Sequence, residues 1–464
     1  MLERSLALLS LAAATALSSP ANAVSLNSRG LGQALIFPYY TVNKGQDTLL
    51  SVVNDGDVGA VAAVIVDEGY NGRPVAQFNV FLAPHDVWTV RVSALGDDDG
   101  AALFSADTSC TWPPLAPAGL PLSNSTYAGG SVFPADGGPT DIARTREGFI
   151  QVVGLGAVIP GSPLDSATRH PSPGTAPTCA DTNSAAGLYL TPPNGTLSGS
   201  AAIVNVGEGT FLAYSASALD YTEQVVFDGT GSTYEPNPLL HANSASSALS
   251  GAIAHIADGD RHLALDFDQG IDAVSAVFMQ DTIANDYLVA AGLGANTDWV
   301  ITFPTKVFYT DPFYLAGGAA AQPFTETFRA PGMSNVLADA IQYDQEEGHG
   351  ATGALTLPYL VNIVSFSADD RASGVLGSTL VTHVAPFAEA GAMTLDLAHG
   401  GDESHALAVP DGRVLHGLPA TGFMVYNIIN ANAAPGKLAN YGGTFPYRST
   451  VSCTASSSDA TSCE

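Results

Sequence analysis

Positive charge is what this sequence has least of. Its 15 Lys+Arg stand against 44 Asp+Glu, a formal net charge of −29, and Lys44, Lys306 and Lys437 are its three lysines. A surface so acidic repels phosphate backbones and anionic lipid, which excludes nucleic acid as a natural partner. Cysteine is sparse as well. Cys110, Cys179, Cys453 and Cys463 include no C-x-x-C pair, so neither a zinc knuckle nor a thioredoxin-like site is signalled. Beyond the N-terminus, no uninterrupted apolar run reaches the roughly 20 residues of a membrane-crossing helix, so no transmembrane span is expected. The metalloprotease H-E-x-x-H, the G-x-S-x-G elbow and the P-loop are all missing, and the scattered glycines are explained by turn geometry.

The N-terminus points to export. Arg4 supplies a modest positive start, offset by Glu3, and Leu6 to Leu17 is apolar. Ser18, Ser19 and Pro20 then break any helix, and Ala21-Asn22-Ala23 is an A-x-A cleavage pattern. Residues 1–23 therefore read as a secretory signal peptide, with Val24 first in the mature chain. The expected location is the periplasm, the cell surface or the extracellular space. An even number of cysteines in such a chain suggests disulfides, and three pairings are open. Proximity favours Cys453 with Cys463, which leaves Cys110 with Cys179 across a Pro/Gly-rich segment.

Hydrophobic residues make up 46% of the chain, enough for a substantial core. Short β-rich runs alternate with turn clusters. Phe78, Val80 and Leu82 alternate with Gln77 and Asn79, and Trp88, Val90 and Val92 with Thr89 and Arg91. That period of two is the signature of half-buried strands. Strands every 8–12 residues or so suggest an immunoglobulin-like β-sandwich. The expected fold is thus all-β, with two β-sandwich regions, residues 24–95 and 201–450. Between them, residues 96–200 read as a Pro/Gly-rich elaboration stapled by disulfide, and residues 451–464 as a polar tail. Ile203 to Gly209 echoes Val52 to Asp57, each placing an asparagine after an apolar strand, which hints at two related units. Ala273 to Met279 and Phe423 to Ile429 read as strands, the latter as a candidate sheet edge, and Asp281 to Leu293 as a short helix.

Several runs are familiar in combination. They are GLGQALIFPYYTVNKGQDTLLSVVN from Gly30, FNVFLAPHDVWTV from Phe78, DIARTREGFI from Asp141, DAVSAVFMQDTIANDYL from Asp272, TDWVITFPTK from Thr297 and TGFMVYNIINANAAPGKLANYGGTF from Thr421. Together they resemble an uncharacterised family of exported proteobacterial proteins, usually labelled hypothetical or cell-surface. The resemblance spans most of the mature chain. It implies a bacterial periplasmic or surface location and brings no site residues with it.

Candidate sites are few. Calcium wants several oxygen donors from loops, and Asp97-Asp98-Asp99-Gly100 is the densest acidic turn. Asn54-Asp55-Gly56-Asp57 and Asp369-Asp370 are weaker, and none has the spacing of an EF-hand. A solvated turn explains each equally well. His255 and His262 flank Asp258 and Asp260, and His399 and His405 flank Asp402 and Glu403, two groups of metal-ligand types that a hairpin turn or a loop also accounts for. His85-Asp86 is a catalytic pair only if a nucleophile joins it. No catalytic residue and no cofactor is assigned. The function expected is a non-enzymatic structural, adhesive or assembly role, with a protein or glycan partner or further copies of itself. The alternative is a secreted hydrolase acting on a polysaccharide or peptide. Alternating strands would also suit an outer-membrane barrel, against which stand the polar tail and the long irregular stretches.

Overall fold

The structure, a computed structural model, describes residues 22–96, 99–130, 133–172, 175–179, 182, 188–221, 252–259, 261–315, 319–346, 348–366, 372–399, 405–430, 433–455 and 463. The fold is predominantly β, 49% strand against 9% helix, in several sheets with two disulfides. The first half runs through β1 (Asn22–Leu26), β2 (Ala34–Thr41), β3 (Asp47–Asn54), β4 (Ala60–Glu68), β5 (Pro74–Leu82), β6 (Val87–Ala94), β7 (Ala101–Phe104), β8 (Cys110–Trp112) and β9 (Leu120–Pro121). It continues through β10 (Glu147–Val158), β11 (Leu190–Thr191), β12 (Leu197–Asn205), β13 (Thr210–Ser215), β14 (Ser217–Tyr221), β15 (Ala252–Asp258) and β16 (Arg261–Phe267). Among the described residues these make a ten-stranded sheet, ordered β16-β15-β1-β14-β2-β10-β4-β5-β8 with β11 beside β10, and a six-stranded sheet, ordered β13-β12-β3-β6-β7-β9.

Alternation joins the two sheets face to face. Leu50 and Val52 of β3 and Trp88, Val90 and Val92 of β6 are buried, while Leu49 and Thr89 are exposed. Phe78 of β5 meets Trp88 edge-on at 5.6 Å. Each such buried ring contributes on the order of 3 kcal/mol. The centre of the larger sheet is covered on both faces, because every residue of β2, β4 and β10 is buried. On the side away from the smaller sheet, Val61, Phe81, Leu155, Leu164 and Leu190 form a second core with Trp112 and Cys179. The bridges are Cys110–Cys179, with Cα atoms 5.3 Å apart, and Cys453–Cys463, 5.8 Å apart, the pairing that proximity favours.

Connectivity departs from the expected divisions. Within residues 96–200, β10 is no elaboration: it pairs with both β2 and β4 at the middle of the large sheet. Across residue 200, β12 pairs with β3, and β14 pairs with β1 and β2. The echo of Asn54 in Asn205 falls on two antiparallel neighbours in one sheet. Each asparagine fastens its own turn and reaches a neighbouring segment: Asn54 donates to the carbonyls of Val58 and Ala83, and Asn205 accepts from the amide of Glu208 and donates to the carbonyl of Lys44.

Among the described residues the second half holds two five-stranded sheets, beside a three-stranded and a two-stranded sheet. One orders His349–Thr356, Leu337–Tyr343, Ala390–Asp396, Thr282–Leu288 and Arg448–Thr450, and the other Val381–His383, Val361–Ser365, Ala295–Thr302, Thr421–Ile428 and Tyr441–Pro446. Three local expectations change. Gly270–Phe278 is a helix, and with eight of its nine residues buried it offers no polar face to betray its period. Thr282–Leu288 is a strand, with Ile283, Asn285 and Tyr287 turned inward. The run Phe423 to Ile429 is no edge, since Thr421–Ile428 pairs on both sides.

A buried ionic cluster ties the halves together. Arg73 grips Asp311, 238 residues away, through Nε and Nη2, the latter at 2.9 Å. Arg144 donates to Glu68 at 2.7 and 2.8 Å and also to Asp136. Asn71 bridges Asp136 and Asp311. These charged side chains are at most 1% exposed. Tyr127, at 4.3 Å, closes over Arg144, and Phe133 and Phe313 over Arg73. Three carboxylates share two guanidinium groups under closed rings, and the cluster acts as a clasp between the two halves.

Candidate functional site

The outward face of the six-stranded sheet carries a shallow concavity. Because inward positions of β3, β6 and β13 fill the core, the alternate positions must point to solvent. Register sorts them into rows across the strands. One row runs Ala213, Ala202, Leu49, Arg91 and Phe104 over β13, β12, β3, β6 and β7. The next runs Ser215, Ser200, Ser51 and Thr89, a line of hydroxyls. Ser51 and Ser200 are in hydrogen-bond contact through their hydroxyls at 3.1 Å. Small side chains keep the floor low, Leu49 stands at its centre on β3, and Phe211 and Phe104 rise at its margins on β13 and β7. Phe211 on β13 is 62% exposed, Leu49 is 40% exposed, and Arg91 lies 5.2 Å over the ring of Phe104. The result is an open groove of about 660 Å³ whose described lining carries a single charged residue, Arg91.

The sequence candidates fall elsewhere. Asp97 and Asp98 lie outside the described residues, as do Asp260, Asp369, Asp370, Asp402 and Glu403. Asp99 is exposed, and Arg146 donates to the carbonyls of Gly96 at 2.8 Å and Asp99 at 2.9 Å. A fixed guanidinium on that turn competes with calcium for its oxygens. Among the described residues no group of three or more side chains is placed to hold a metal ion. His85 contacts exposed Asp57 rather than its neighbour Asp86. Asp86 instead accepts from Ser109 at 3.4 Å and lies 3.6 Å from His170. There the carboxylate sits between serine and histidine, whereas nucleophile activation needs the histidine in the middle.

His255 and His262 occupy the solvent face of the β15–β16 hairpin as diagonal neighbours, lining a second cleft of about 680 Å³ with Arg29 and Ser25. His399 contacts Asp339 at 2.8 Å. His405 is buried, with its ring nitrogens 3.0 and 3.1 Å from the carbonyls of Pro323 and Leu337, and burial pulls its pKa down. A smaller cleft of about 450 Å³ has Tyr426 stacked on Phe445 beside the Asp286–Arg448 pair.

Two buried titratable groups give no signal in the sequence. Burial pushes the Asp67 carboxyl up to about 8, against the pull of the hydrogen bond from Gln151. Burial drives the Lys306 ammonium well below its ordinary range, and its Nζ donates to the carbonyls of Ser334 and Tyr359. Neither lines the clefts named above. The groove, by contrast, is written in the period-two pattern of β3 and β6, but only register reveals which outward residues meet. No protein-family model, curated protein or solved structure matches the chain.

Proposed function

We propose that this is an exported protein that works by binding, in a structural, adhesive or assembly role at the periplasm or cell surface, and that the outward face of the six-stranded sheet is its working surface. The observation that carries this reading is the groove: a nearly uncharged concavity with exposed Phe211 and Leu49 on a chain of net charge −29. Contiguous apolar surface of this kind marks contact sites. General acid–base chemistry would need a carboxylate or imidazole at the substrate; the described groove lining offers Arg91 and hydroxyls, and the adjoining carboxylate, Asp107, is held by the amide and hydroxyl of Thr89 and by Ser109.

Support for export comes from the leader-like residues 1–23, from two disulfides suited to an oxidising compartment, and from the family resemblance. No described helix is long and apolar enough to cross a membrane. The finer fold reading is an immunoglobulin-like sandwich for the first half. Face-to-face, largely antiparallel sheets favour it, and the parallel pairing of β1 with β15 departs from it.

The test places charge in the groove. A Leu49→Lys, Phe211→Glu double variant is expected to keep its melting curve and to lose retention on the cell-envelope fraction by about tenfold or more, as expected for interface hot spots. Unchanged retention would overturn the reading, as would robust turnover of a glycan or peptide by the purified protein.

A further inference from the structure

Resting on that reading, we infer that the ligand of the six-stranded face is a neutral glycan chain lying across the strands. The chemistry of the rows carries the argument. Hydroxyls both donate and accept without fixed charge, so the line Ser215, Ser200, Ser51, Thr89 is complementary to other hydroxyls. The adjoining row, with Ala213, Ala202 and Leu49, is complementary to C–H surface. A sugar ring presents both, hydroxyls at its rim and C–H groups on its faces. Neighbouring strands lie about 4.8 Å apart, so the three hydroxyls that line the groove, Ser200, Ser51 and Thr89, span roughly 10 Å at regular steps, with Ser215 continuing the row toward the second cleft. From β13 with Phe211 to β7 with Phe104 the distance is roughly 19 Å, room for a few linked sugar units between two aromatic margins.

Competing occupants fit less well. An extended peptide gains its affinity from backbone pairing at a sheet edge, and a sheet face offers side chains only. A helix would lay an apolar stripe over the hydroxyl row and strip water from the capacity left after Ser51 meets Ser200 and Thr89 meets Asp107, which is costly. An anionic polymer, such as a polyuronate or a teichoic-type phosphate chain, would meet the field of 44 acidic residues with Arg91 alone to receive it. Charge complementarity therefore favours a neutral chain.

Affinity electrophoresis of the full protein through gels containing soluble neutral glucans, mannans or galactans, with polyuronate as the anionic control, tests this. At least one neutral glycan should retard the protein, equally in low and high salt, because no ion pair is involved. A Ser51→Ala, Ser200→Ala, Thr89→Val variant, and separately Phe211→Ala, should each weaken that retardation about tenfold while melting like the parent. Retardation by polyuronate alone, or neutral binding that ignores both variants, overturns the inference. If no neutral glycan retards the protein while the Leu49→Lys, Phe211→Glu variant still loses envelope retention, the face binds but its ligand is a protein, and the glycan inference alone fails. If envelope retention is also unaffected, the working-surface reading fails with it.

Discussion

Arg144→Ala should destabilise the protein by roughly 3–5 kcal/mol, because it strands buried carboxylates without their partner. Glu68 and Asp136 both lose their guanidinium, and Tyr127 and Tyr70 lose the cation beneath their rings. The backbone amides of Tyr70, Asn71 and Arg73 still donate to Glu68, but they carry no full charge. Urea titration monitored by circular dichroism measures the loss. Arg448→Ala is the control: its pair with Asp286 has both side chains about two-thirds exposed, so less than about 1 kcal/mol is expected. Equal losses for the two variants would contradict the account of the clasp.

Asp67→Asn should remove a pH dependence of several kcal/mol. Burial, the largest influence, raises the Asp67 carboxyl to about 8; the hydrogen bond from Gln151 lowers it and neighbouring Glu68 raises it. An unfolded aspartate titrates near 3.9. Between about pH 4 and pH 8 the folded state thus holds a proton that the unfolded state has released, and stability falls as pH rises through that window. Below about pH 4 both states are protonated and this contribution is complete. The asparagine stays neutral throughout, so variant and parent should match near pH 4 and separate progressively, the variant being the more stable at pH 8. Melting curves taken across this range give the difference directly, cancelling the titrations common to both proteins. A difference that stays constant with pH would refute the buried, protonated carboxyl.

How much of the fold and the site is legible in the sequence follows from the range of each interaction. Period-two runs such as Phe78 to Leu82 and Val87 to Val92 announce strands, since inside and outside alternate within a few residues. The pairing of Cys110 with Cys179 follows from proximity within a set of four. The helix Gly270–Phe278 does not show, because a segment buried on nearly all sides has no contrasting face. Nor does the clasp, whose partners Arg73 and Asp311 are brought together only by tertiary structure. The placement of β10 between β2 and β4 is likewise non-local, and it turns an apparent interruption into the middle of a sheet. For the groove, outward residues can be named strand by strand, yet the hydroxyl row needs the register of four strands at once.

The central claim is that the outward face of the six-stranded sheet is where this protein binds, and covalent footprinting tests it whatever the ligand proves to be. The protein is labelled free in solution and again while retained on the envelope fraction, and peptides are compared by mass spectrometry. Protection is predicted at Phe211, Leu49 and Phe104, on three different strands that share one face. Full labelling of those residues in both states, with protection instead at the His255–His262 cleft or around Tyr426 and Phe445, would contradict it.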